Sequence, residues 1–94
     1  MGVLVLSLEE VKLYLKVDGD EDNTLITDLI GAAEELCQDI LRFPLSEFTE
    51  VPETVKQALL FAIGNLYEQR EAADMKAVIE FMTRLLFAYR REGW

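Results

Sequence analysis

A chain of 94 residues supports one domain around one modest core, and with 51% apolar residues it is too hydrophobic to remain disordered. Eighteen acidic residues against nine basic ones give a net charge of −9. That balance argues against nucleic-acid binding, whose affinity comes from Lys and Arg neutralising phosphates, and against docking on an anionic membrane surface.

Ser7-Leu8-Glu9-Glu10 has the form of a capping box, in which the Ser7 hydroxyl accepts from the Glu10 N–H and the Glu10 side chain reaches back. A first helix is predicted from about Leu8 to Leu15, with Leu8, Val11 and Leu15 on one face and Tyr14 beside them. Val3 to Leu6 is a short apolar lead-in, either a strand or an arm laid on a neighbour; four residues are too few for periodicity to choose. The polar loop Val17-Asp18-Gly19-Asp20-Glu21-Asp22-Asn23 ends the first helix and places acids at the start of the second, where a helix N-terminus favours negative charge.

The second helix is expected from about Asp22 to Leu41. Leu25, Ile26, Leu29, Ile30, Ala33, Leu36, Cys37, Ile40 and Leu41 form one helical stripe, and Asp28, Glu34, Glu35 and Asp39 lie off it. Phe43-Pro44 breaks that helix, and a connector runs to Val51. Pro52 suits a first helical position, where its missing N–H costs nothing, so a third helix is expected from about Pro52 to Arg70. Val55, Leu59, Ala62, Ile63 and Leu66 make its inner stripe, whereas Leu60, Phe61 and Gly64 fall on another face. A helix apolar on more than one side is packed on more than one side, here by a neighbouring chain or by the fourth helix. Ala72 to Lys76 is a weak break. The last helix is expected over roughly Val78 to Arg90, with Phe81, Leu85, Leu86 and Tyr89 inward.

The residues offer little chemistry. Asp18, Asp20 and Asp22 alternate like the start of a calcium loop, but the places that need Gly and a bidentate Glu hold Asn23 and Leu29. There is no histidine. Ser7 reads as a cap, Ser46 sits in a linker, and Cys37 lies on an apolar stripe where a thiol behaves as a small hydrophobe. No glycine-rich phosphate loop occurs, so no catalytic residue, cofactor or metal is expected. The single cysteine fits a reducing compartment. Met1 to Leu6 lacks the basic start and long apolar run of a signal peptide, and Leu6 stands where a myristoylation pattern needs Ser or Thr. The apolar run Ala58 to Gly64 is too short to span a bilayer.

Five short motifs, in order, resemble the tailed-phage head–tail connector (adaptor) proteins. They are Leu8-Glu9-Glu10-Val11-Lys12-Leu13-Tyr14-Leu15; the acidic loop leading to Leu25-Ile26; Pro52-Glu53-Thr54-Val55-Lys56-Gln57-Ala58; Tyr67-Glu68-Gln69-Arg70-Glu71; and Leu85-Leu86-Phe87-Ala88-Tyr89-Arg90. The likeness spans residues 7 to 91. It departs from the family at 72–81, which lacks the proline or glycine often found before the last helix.

The expected fold is therefore all-α: a small bundle of about four helices, with two long central helices packed antiparallel and shorter terminal ones. The chain is expected to be one connector-like domain over residues 1–94, with an N-terminal arm (1–6) and a C-terminal tail (91–94). The resemblance implies a virion structural protein at the head–tail junction, assembled in the host cytoplasm, with no turnover chemistry. It implies a homo-oligomeric ring, about twelvefold in the virion. Its partners would be the portal protein and a tail-side completion protein, with DNA passing through the ring without sequence-specific binding. The expected subunit-interface residues are Leu60, Phe61, Gly64, Glu68, Arg70, Tyr89 and Arg90. An acidic channel wall would let DNA slide without sticking. The rival from the residues alone is a small acidic helical regulator or antitoxin-like partner protein, which would form a dimer or hetero-complex. A DNA-binding domain would need a basic recognition helix, and no predicted helix supplies one.

Overall fold

Ser7 starts the first helix as its spacing requires. In the computed structural model, which describes residues 6–69 and 74–89, the Ser7 side chain accepts from the Glu10 N–H at 3.1 Å and Glu10 Oε1 accepts from the Ser7 N–H at 2.9 Å. Both halves of the capping box are formed. Helix α1 covers Leu8–Leu15, α2 Asn23–Leu41, α3 Glu53–Glu68 and α4 Met75–Leu86. Single 3-10 turns occupy Leu45–Glu47 and Phe87–Tyr89, and there is no strand among the described residues. The architecture is the expected all-helical bundle.

Helix α3 ends at Glu68 rather than the expected Arg70, α4 gives way to a 3-10 turn after Leu86, short of the expected Arg90, and two starts differ from expectation for local reasons. Pro52 stands just before α3 rather than inside it, extended at φ −62 and ψ 150, and its carbonyl accepts from the Val55 and Lys56 N–H groups. Helix α4 begins at Met75, three residues before the expected Val78, because the Asp74 side chain accepts from the Ala77 N–H at 3.2 Å and caps it. The segment 72–81, which lacks Pro and Gly, is thus helical from Met75 onward.

The core follows the stripes. Ile26, Ile30, Ala33, Cys37 and Leu41 of α2, at steps of three and four, are all buried. They meet Val55, Ala58, Leu59, Ala62 and Ile63 of α3. Helix α4 contributes Val78, Met82 and Leu86, one per turn, and Val11 and Leu6 seal the α1 side. Phe81, expected inward, is instead 40% exposed, since it lies about 100° round the helix from Met82. Leu85 and Tyr89 sit half-buried at the edge of the core, and Leu86 is fully inside.

Helix α3 packs on α2, α4 and α1. A hydrogen bond of 2.6 Å from the Tyr67 hydroxyl to Asp22 Oδ2 ties the end of α3 to the start of α2, so these two long helices run antiparallel. At the other end, the Leu45 N–H donates to Gln38 Oε1 at 2.8 Å, and the Phe48 ring packs edge-on against both Phe43 and Tyr89. That contact anchors the connector between the C-terminal ends of α2 and α4.

Helices α1 and α2 both end on non-glycine residues in the left-handed region, Lys16 at φ 62 and Arg42 at φ 70. This conformation normally favours glycine. In each case the backbone N–H still caps the helix by donating to a carbonyl of its last turn.

Removal of the Tyr67 hydroxyl is expected to cost about 1.5 kcal/mol, since a partly buried bond to a carboxylate is lost while the ring keeps its packing. Urea unfolding of Tyr67→Phe measures this; an unchanged midpoint would mean the bond contributes nothing. Asp20 gives a pH test. The Lys12 ammonium, which donates to Asp20 Oδ1 at 3.0 Å, holds this carboxyl below its usual pKa of 3.8, with Asn23 assisting. A carboxyl depressed in the folded state stabilises the fold above the unfolded pKa, and that contribution is lost as pH falls through the folded value. Asp20→Asn is therefore expected to be less stable than wild type at pH 7, with the gap closing below the usual value of 3.8. A gap that stays constant into acid would contradict the ion pair.

Candidate interaction surface

The apolar surplus of α3 is divided between its two flanks. Leu60 and Gly64 lie on the flank that faces α1: Leu60 lines a shallow groove with Leu6, Leu13 and Tyr14. A Cβ at Gly64 would sit 3.4 Å from the Tyr14 ring, so the glycine lets that ring lie close on α3. Phe61 lies on the opposite flank, where its ring stacks on Phe81 of α4 with centroids 4.1 Å apart. Of the two coverings the sequence allowed for this face, α4 thus supplies one inside the subunit, and α1 adds a third. Leu60, Phe61 and Gly64 all remain only partly buried.

The other expected interface residues are scattered. Glu68 is exposed at the end of α3. Tyr89 is half-buried against Phe48, with ring centroids 6.1 Å apart. Arg70 and Arg90 lie outside the described residues. The structure therefore brings Leu60 and Gly64 together and leaves Phe61, Glu68 and Tyr89 at separate places.

The large apolar side chains left most open to solvent lie elsewhere. Leu13 is 81% exposed and Phe87 64%. Tyr14, Met75, Ile79 and Phe81 are exposed to a lesser degree. The helical stripes in the sequence do not single out Leu13, Met75, Ile79 or Phe87. Leu13 could have been singled out, because it is an apolar residue on the polar side of a helix whose inner face is already filled by Leu8, Val11 and Leu15. Met75 lies before the start expected at Val78, so only the Asp74 cap places it, whereas Ile79 lies within the expected helix and off its inner line.

The polar groups serve the fold. Of the alternating aspartates, Asp20 is engaged by Lys12 and Asn23, and Asp22 by Tyr67. Among the described residues, no three His, Cys, Asp or Glu side chains gather in a way that would hold a metal ion. Burial, helped by the nearby Glu34, pushes the Cys37 thiol up to about 12, so it stays protonated and unreactive at neutral pH. The Ser7 backbone N–H, and then the Ser7 hydroxyl, hold the Glu10 carboxyl below its usual range. No described helix is long and apolar enough to cross a membrane.

The described residues offer exposed surfaces of differing character. Helix α2 presents Asp28, Glu35 and Asp39 to solvent and carries no basic residue along its length. Helices α1 and α4 present apolar side chains. No curated protein and no solved structure matches the chain. The family model of the phage gp6-like head-tail connector proteins matches residues 5–92, nearly the full length, and the chain belongs to that family.

Proposed function

We propose that the chain is one subunit of a head–tail connector ring that bridges the portal and the tail and surrounds the path of the DNA. The observation that carries this reading is the family match over residues 5–92. It is supported by the apolar side chains that the subunit leaves outside, led by Leu13 and Phe87. A small domain gains stability when such surface is covered by association. The work is geometric: contacts between copies close the ring by rotation, one rim meets the portal, and the other meets a tail-side completion protein. In the virion such a ring would hold about twelve copies.

The bore of the ring needs a wall that does not grip DNA. The outward face of α2, with Asp28, Glu35 and Asp39 and no basic residue, fits that need, since like charge repels phosphate and no lysine or arginine is present to hold it. Leu60, Phe61 and Gly64 keep a part in assembly only through the area that α1 and α4 leave uncovered. Phe61→Asp would disturb the ring stack with Phe81 inside the subunit, so exposed positions make better probes of assembly.

Native mass spectrometry of the purified chain, alone and with portal protein, tests the reading. The expected result is a closed oligomer of many copies, formed either alone or on the portal. A stable dimer indifferent to portal would contradict it and favour the regulator.

A further inference from the structure

We draw no further inference here: the strongest candidate, the shallow apolar groove between α1 and α3 lined by Leu6, Leu13, Tyr14 and Leu60, has charges of both signs on its rim in Glu10, Glu53 and Lys56, and nothing in the structure shows what covers it.

Discussion

Helix α3 has more apolar surface than any single neighbour can cover, and the subunit is arranged around that fact. Its inner stripe, Val55, Leu59, Ala62 and Ile63, goes against α2 and α4. Leu60 and Gly64 lie against α1 through the Tyr14 ring, and Phe61 against α4 through Phe81. Burying a large apolar side chain is worth roughly 1.5–3 kcal/mol, so three flanks on one helix account for much of the drive to fold. Because α1 and α4 turn one side each toward α3, their other sides are left in solvent, where Leu13 and Ile79 are exposed.

Polar contacts then hold the helices in register. The Tyr67–Asp22 bond joins residues 45 apart in sequence and fixes the end of α3 to the start of α2. The Lys12–Asp20 pair draws the acidic loop back on α1. An exposed pair of this kind contributes little stability by itself. Its consequence is positional: it holds the loop that leads into α2 against α1. The outward Asp28, Glu35 and Asp39 of α2 and the exposed apolar side chains of α1 and α4 then give the subunit unlike sides.

Helix α1 was legible in the sequence to the residue, because a capping box names a helix start by hydrogen bonds between near neighbours. The α2 stripe was legible for the same kind of reason, since nineteen residues give periodicity enough length to work. Helix α4 was less so. Its start depends on one Asp74 cap next to a weak break, and its buried line is Val78, Met82 and Leu86, so of the expected inward residues Leu86 is fully inside while Phe81 is exposed. The interface residues were least legible. Periodicity shows that Leu60 and Phe61 lie off the inner stripe, but which element covers them is a property of the folded chain.

Helix α3 is covered mainly from within the subunit, by α1, α2 and α4, and that makes it the rigid centre of the fold. Native-state hydrogen exchange on the free chain tests this most directly. Amides of α3 should exchange only through global unfolding, with a denaturant dependence that matches the whole chain. Exchange of α3 through small local openings, ahead of α2, would show that this helix needs another chain to cover it and would contradict the account.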